Sequence, residues 1–218
     1  MKKLKFASVL AVVLVALVCV VGCSAAPVSP SATVTKALNA VKGKDFDKLK
    51  ECFVSSENSD SVIDSVKNSA PGLSTSYEDP DIQKIVNGLL DKLLSFDYEL
   101  GSESVDGDHA TVDVTIKTYD MGTAFTDAFK DYIGKGIGAA LSGASQEEMT
   151  KMFAESIEQA LNSQGAMNYS AKTQVNLTKV ENDWKIDDVS EDNLDALFGG
   201  VMSNLKSFAS NLQLDDAA

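Results

Sequence analysis

The sequence contains no arginine and only one histidine, His109, among its 218 residues. Its 19 basic residues are therefore all lysines, and 32 acidic residues give it a net charge of −13. Nucleic-acid backbones are bound by clustered cations, and arginine is the residue that contacts phosphate in a bidentate manner. The composition thus excludes nucleic acid as an expected ligand, and it argues equally against tight binding to anionic lipid headgroups.

Residues that could carry catalysis are also scarce. His109 follows the predicted Asp106-Gly107 turn, where we expect a solvated side chain, and no carboxylate lies at a spacing that would mark an acid–base dyad. No Gly-x-Ser-x-Gly motif is present, so a nucleophilic triad is not indicated. General acid–base catalysis needs a group whose pKa is tuned toward neutrality, and no residue is marked for that role. We therefore predict a protein that is not an enzyme and has no catalytic residues and no cofactor.

A metal site is not predicted either. Carboxylates do cluster before and within the last predicted helix, at Asp187, Asp188, Glu191, Asp192 and Asp195. Calcium binds such groups, but acidic residues at the start of a helix are also favoured by the helix dipole. We interpret the cluster as a helix start.

The N-terminus has the pattern of an export signal. Lys2, Lys3 and Lys5 precede an uncharged apolar run from Phe6 to Val21, which at 16 residues is shorter than the ~20 that span a bilayer. The run ends in Val20-Val21-Gly22-Cys23, which resembles the lipobox of bacterial lipoproteins. By that resemblance, residues 1–22 are a signal peptide and Cys23 carries lipid such as palmitate. The alternatives are secretion after cleavage near Ala25-Ala26 and an uncleaved membrane helix.

Cleavage and lipidation at Cys23 would set the boundaries, the net charge and the cysteine content of the mature chain. Residues 23–32 would be the lipidated N-terminus and tether, residues 33–211 a single domain and residues 212–218 a frayed tail. Cleavage would remove three lysines, leaving 16 against 32 acidic residues and a net charge of −16. Cys52 would be the one remaining thiol, so we expect no internal disulfide and no zinc site.

Hydrophobic periodicity predicts an α+β domain. Residues 33–66 and 79–94 have helical spacing, with a polar linker at 73–78 between them. Residues 96–116 alternate with period two around the Asp106-Gly107 turn, which is typical of an antiparallel hairpin. Residues 121–165 are predicted to be a helical hairpin inserted into the sheet, with a capping box at Ser145 and Glu148. Strands return at Thr173–Leu177 and Trp184–Asp187, and a single C-terminal helix is predicted from Ser190 to Asn211.

This order resembles the nuclear transport factor 2-like fold, in which a curved antiparallel sheet and N-terminal helices form a cone. More narrowly, it is similar to Gram-positive lipoproteins that carry such a domain with no assigned function. The resemblance rests on the segments Ala32–Asp47, Val105–Asp108 and Asn182–Asp187, together with Cys23. The insert 121–165 and the final helix depart from the pattern, and either could cover or fill the mouth of the cone.

We therefore predict a non-enzymatic lipoprotein anchored through Cys23 on the extracytoplasmic face of the cell membrane. It would bind a small apolar ligand or an envelope protein, and a homodimer is possible. The residues predicted to line a ligand cavity are Phe125, Phe129, Phe153 and Trp184. The alternatives are an isomerase- or cyclase-type enzyme, with a carboxylate or His109 in the cone, and a purely structural interaction protein. Apolar stripes in the insert 121–165 and in the last helix, Ser190 to Asn211, would form an exposed binding face if they fail to close onto the core. The last helix by itself is a further candidate for binding a partner.

Overall fold

A computed structural model describes residues 28–68 and 80–211. The predicted signal peptide, Cys23, the predicted linker 73–78 and the predicted tail 212–218 lie outside these residues. Eight helices and four strands follow one another in the described parts of the chain: α1 (Pro30–Lys42), α2 (Phe46–Lys50), α3 (Ser56–Asn68), α4 (Pro80–Leu93), β1 (Asp97–Asp106), β2 (His109–Thr118), α5 (Met121–Leu141), α6 (Gln146–Gln164), β3 (Tyr169–Val180), β4 (Asp183–Ile186), α7 (Glu191–Leu197) and α8 (Val201–Asn211). None of these helices has the length and apolarity needed to cross a membrane.

The strands form one open antiparallel sheet in the order β1-β2-β3-β4. Strand β2 alternates buried and more exposed residues, and its buried Val112 and Val114 pair with Val175 and Thr173 of β3. One face of the sheet therefore packs on the core, and the other is polar. The predicted α+β class is confirmed, whereas the nuclear transport factor 2-like cone remains a prediction.

Helix α1 lies across the packed face of the sheet, and each of its ends contacts strand β1. Its Ser29 side chain caps the helix start, and the Ser31 backbone N–H donates to the Glu103 carboxylate at 2.9 Å near the end of β1. At its other end, Lys42 Nζ lies 3.3 Å from the Asp97 carboxylate, where β1 begins. The helix starts at Pro30, so the last three residues assigned to the tether from sequence are its first turn.

The inserted hairpin forms as predicted. Ser145 and Glu148 make the reciprocal capping box that begins α6. Helix α5 packs against α6 and α8, and α6 also contacts α4. Since α5 follows directly from the end of β2, this helical layer begins at the end of the sheet opposite the start of α1.

The prediction of a single C-terminal helix is wrong. The chain forms α7 and α8, separated at Gly199 and Gly200, which have φ values of +62° and +76°. Residues in this left-handed region interrupt a right-handed helix. The apolar stripe runs across the break, which is why periodicity alone predicts one helix.

Candidate functional site

The four residues predicted to line a ligand cavity take different positions. Phe125 is buried in the core, and Phe129 is 36% exposed with its ring packed edge-on against Phe208, the centroids 5.5 Å apart. Phe153 packs in a similar way against Tyr132 at 5.3 Å. Trp184 is buried under α1, where its carbonyl accepts a hydrogen bond from Thr33 Oγ1 at 3.1 Å.

An apolar cavity lies elsewhere, between α1 and the packed face of the sheet. Its volume is about 70 Å³, and none of the four predicted residues is among those that line it. The wall is made by small or branched side chains that include Ala37, Val114 and Val175. Its polar residues are Thr173 and Asn193, which hydrogen-bond each other at 2.6 Å. The cavity thus offers an apolar space without free polar groups.

The size of this cavity limits what it can bind. Pockets for drug-sized ligands occupy about 300–1,000 Å³. A space of about 70 Å³ holds only a few heavy atoms, and apolar cavities of this kind stay dry. No carboxylate, histidine, lysine or cysteine is among the described residues of its wall.

His109 lies away from the cavity. It is exposed at the start of β2, and its Nδ1 is 3.3 Å from Thr178 Oγ1. It borders a shallow, open depression together with Asp106 and Asp187. Acid–base catalysis gains from excluding water around the reacting groups, and this depression is open to solvent.

The remaining reactive or charged candidates have structural roles. Cys52 is buried, its thiol donates to the Lys48 carbonyl at 3.3 Å, and burial raises the pKa of that thiol. In the acidic cluster, Asp195 accepts hydrogen bonds from the backbone N–H groups of Met202 and Ser203, at 2.8 and 3.1 Å, and so caps α8. Glu191 and Asp192 occupy the first turn of α7, as the dipole argument predicts.

The most distinctive surface is an exposed apolar strip on the second half of α5. Side-chain exposure rises along the predicted stripe, from 6% at Phe125 to 43% at Ile133, 62% at Ile137 and 85% at Leu141. The stripe is covered at its start, where Gly122 N–H donates to the Gly199 carbonyl at 2.9 Å and Phe129 meets Phe208. Helix α8 ends at Asn211, and beyond Phe129 the stripe faces solvent.

Glycines broaden this strip. Gly134 and Gly138 are exposed, and a methyl group built on either would touch nothing within 4 Å. Residues four apart stack on one side of a helix, so the two glycines form a row beside the apolar one. We call Ile133, Gly134, Ile137, Gly138 and Leu141 the α5 face.

Charge is absent from the α5 face. Residues 132–141 contain one charged residue, Lys135, whose Nζ lies 2.7 Å from the Asp131 carboxylate. That ion pair, with a hydrogen bond from Ser156, lowers the pKa of Asp131. Ser156 belongs to α6, so both charges lie toward the α6 side of α5. An uncharged apolar surface remains on a chain that is otherwise strongly acidic.

The sequence predicted the apolar spacing of this surface but not its exposure. The signal that could have located it is the loss of acidic residues after Asp131 combined with three glycines in five residues, Gly134, Gly136 and Gly138. A core-facing helix would not normally weaken itself in this way, since each glycine costs about 1 kcal/mol relative to alanine.

Comparison with known proteins gives one structural similarity. No protein-family model matches the sequence, and no curated protein matches it. A solved structure of a candidate lipoprotein, ycdA, from Bacillus subtilis is similar at a TM-score of 0.47 and 21% identity, over 76% of this chain. The match covers 55% of that protein's length. A similarity at this level does not establish a common family.

Proposed function

We propose that the protein is a lipid-anchored, extracytoplasmic, non-enzymatic protein of the bacterial envelope that binds another protein through the α5 face. The observation that carries this proposal is the exposure of Ile133, Ile137 and Leu141 on a stretch of α5 whose one charged residue, Lys135, is paired with Asp131. Exposed apolar strips of this kind are characteristic of protein-binding sites, because covering them removes apolar area from water.

The position of the tether supports a protein partner over the anchoring membrane. The chain enters the domain at Ser31, which is held to Glu103 near the end of β1. Helix α5 begins after Thr118, at the opposite end of the sheet. The tether from Cys23 to Ser29 reaches at most about 25 Å. The tether therefore meets the domain at the end of the sheet opposite the start of α5, so the α5 hairpin does not carry the attachment to the membrane.

The wall of the cavity supports a non-enzymatic role. The resemblance stated from sequence places an enzyme's reacting groups inside the cone. The described residues around the apolar cavity are aliphatic or aromatic, apart from Thr173 and Asn193, and these two side chains bond each other. We propose that the sheet and α1 form a cone of the nuclear transport factor 2-like type whose interior serves mainly as core.

A photoreactive residue in place of Ile137 tests this function in intact cells. Glu158 provides the matched control, because it is exposed on α6 of the same hairpin but lies outside the α5 face. We expect irradiation to give a cross-linked product at position 137 and little at position 158. A chain that is made and exported normally yet gives equal products at the two positions, or none at 137, would contradict the proposal.

A small apolar ligand is a second candidate function, favoured by the cavity itself. Val114 lines the cavity and is 2% exposed. If the cavity is empty, Val114→Ile should fill part of it and raise the free energy of unfolding by about 0.5–1 kcal/mol. Urea unfolding measures this change.

Val112 is the control for this substitution. It lies on the same strand and the same face, is fully buried, and is not among the residues around the cavity. Val112→Ile should therefore overpack the core and lower the free energy of unfolding by about 1 kcal/mol or more. If Val114→Ile destabilises the protein as much as Val112→Ile does, the added methyl group does not enter empty space. The ligand hypothesis is then preferred, and mass spectrometry of the purified protein should show the occupant.

A further inference from the structure

We infer that the partner of the α5 face is a second copy of the same chain, packed through an antiparallel pair of α5 helices. This inference rests on the proposed function, because it names the protein that the α5 face binds. Four features favour a second copy: the close approach of two helices that the α5 face allows, its lack of acidic residues, the acidic edge of the sheet and the charged residues at either end of the α5 face.

The glycine row allows two α5 helices to approach closely. Gly134 and Gly138 have no side chain and open space beside them, so the backbone of a second helix can lie against this row. Small residues four apart are what permits such close contact between helices. Ile137 and Leu141 flank the row and would pack against the backbone of the other copy. The α5 face therefore supplies both the groove and the side chains that fill it, as a twofold symmetric interface requires.

Charge favours this surface over the rest of the domain. Two processed copies, each with 16 lysines and 32 acidic residues and hence a net charge of −16, repel each other unless they meet where acidic groups are absent. Residues 132–141 contain no acidic residue, and Lys135 is already paired with Asp131. The α5 face is thus a place where like-charge repulsion between two copies is small.

The edge of the sheet, unlike the α5 face, is rich in acidic residues. Strand β1 is an edge of the sheet, and unpaired edges can recruit a second chain. It carries Asp97, Glu99, Glu103 and Asp106, and its pairing with β2 is irregular between Leu100 and Glu103. Acidic side chains and an irregular register both oppose edge-to-edge pairing of two copies.

Flanking charges fix the direction of the helix pair. Lys130 lies seven residues before Ile137, and Ala144 lies seven residues after it. In an antiparallel pair centred on Ile137, Lys130 of one copy lies just beyond Leu141, the last residue of α5 in the other copy, where the turn leads to Glu147 in the first turn of α6. Both side chains are exposed, and Lys130 Nζ lies 3.3 Å from the Asp127 carboxylate of its own helix, a pair that Glu147 of the second copy would join. Each copy contributes one cation and one anion, so the pair forms twice.

Disulfide trapping of the lipidated, full-length protein on cells tests the inference. Ile137→Cys places a thiol at the twofold axis, and Glu158→Cys is the control. The native Cys52 is buried and contributes little. Under mild oxidation, we expect the Ile137→Cys protein to form a product of twice the chain mass at least 10-fold faster than the Glu158→Cys protein.

Charge reversal then tests the register. In the Ile137→Cys background, Lys130→Glu or Glu147→Lys alone should slow disulfide formation about 3- to 10-fold, since each change affects two exposed ion pairs. The two reversals together should restore the rate. If each single reversal slows disulfide formation and the combined Lys130→Glu and Glu147→Lys variant does not restore the rate, the antiparallel register is wrong.

Other outcomes overturn the inference in distinguishable ways. Photo-cross-linking at position 137 to a different protein would leave the proposed function standing but exclude the second copy. A dimer that forms only after removal of residues 212–218 would show that this segment of the same chain covers the α5 face. Equal trapping at positions 137 and 158 would indicate random collision, and absence of both disulfide and photoproduct at 137 would contradict the inference and the proposed function together.

Discussion

Replacing Cys23 with alanine is expected to release the protein from the membrane and to abolish its labelling by palmitate. The apolar run before Cys23 is too short to span the bilayer, so acyl chains on the cysteine would be the main anchor. Each buried CH₂ contributes about 0.8 kcal/mol, and a single chain binds only reversibly, whereas two or three hold a protein firmly. Substitution of the cysteine removes all of them at once.

Fractionation of cells that express each variant measures this effect. The parent protein should be recovered almost entirely with membranes and carry label, and the Cys23→Ala protein should be unlabelled and shift to the soluble or medium fraction. Cys52→Ala is the matched control, because its thiol is buried, and it should keep both label and membrane association.

Two results would contradict lipid anchoring. An unlabelled parent protein that begins near Ala25 or Ala26 would indicate ordinary secretion. An unlabelled parent protein that stays in the membrane and keeps residues 1–22 would indicate an uncleaved helix. These are the two alternatives that the sequence leaves open, and each gives a different N-terminus by mass spectrometry.

Local patterns in the sequence predicted the elements of this fold well. Alternation on β2 and the Asp106-Gly107 turn produced the hairpin, and the capping box at Ser145 and Glu148 marked the start of α6, because both signals depend on residues close in sequence. The break between α7 and α8 was missed because the apolar stripe continues through Phe198 and Val201. The Gly199-Gly200 pair was the available sign of it.

The candidate site was less predictable, because it depends on which faces are covered. Phe125 and Leu141 belong to the same four-residue spacing, yet one is 6% and the other 85% exposed. Among the described residues, α8 packs on the first half of α5, where Phe208 meets Phe129. The cavity was expected beside the aromatic residues of the insert. It lies instead near Ala37, Val175 and Thr173, where short side chains leave space that large rings would fill.

The junction where α8 meets α5 should be the most sensitive backbone position in the domain. Gly199 has a φ of +62°, and a methyl group built on it would overlap the Tyr119 carbonyl oxygen and lie 3.0 Å from the Met121 nitrogen. The backbone has little room to adjust, because the Gly199 carbonyl accepts from Gly122 N–H at 2.9 Å and Gly200 N–H donates to the Asp195 carbonyl at 2.8 Å.

We therefore expect Gly199→Ala to lower the free energy of unfolding by about 3 kcal/mol or more. The left-handed conformation alone costs an alanine about 1–2 kcal/mol, and the clash with a fixed backbone adds to it. A small domain is stable by only about 5–15 kcal/mol, so this one methyl group should remove a large share. Denaturant unfolding followed by circular dichroism measures the change.

Substitutions at two other glycines separate the cost of the left-handed conformation from the cost of the clash. Gly143 has a φ of +84° with nothing within 4 Å, so Gly143→Ala should show the conformational cost alone. Gly88 lies inside α4 with open space around it, and Gly88→Ala should stabilise the protein by about 0.8–1 kcal/mol. If Gly199→Ala costs no more than Gly143→Ala, the contact between the Gly199 backbone and Tyr119 is not rigid. Helix α8 could then shift along α5, and the boundary between the covered and exposed parts of α5 would not be fixed by this junction.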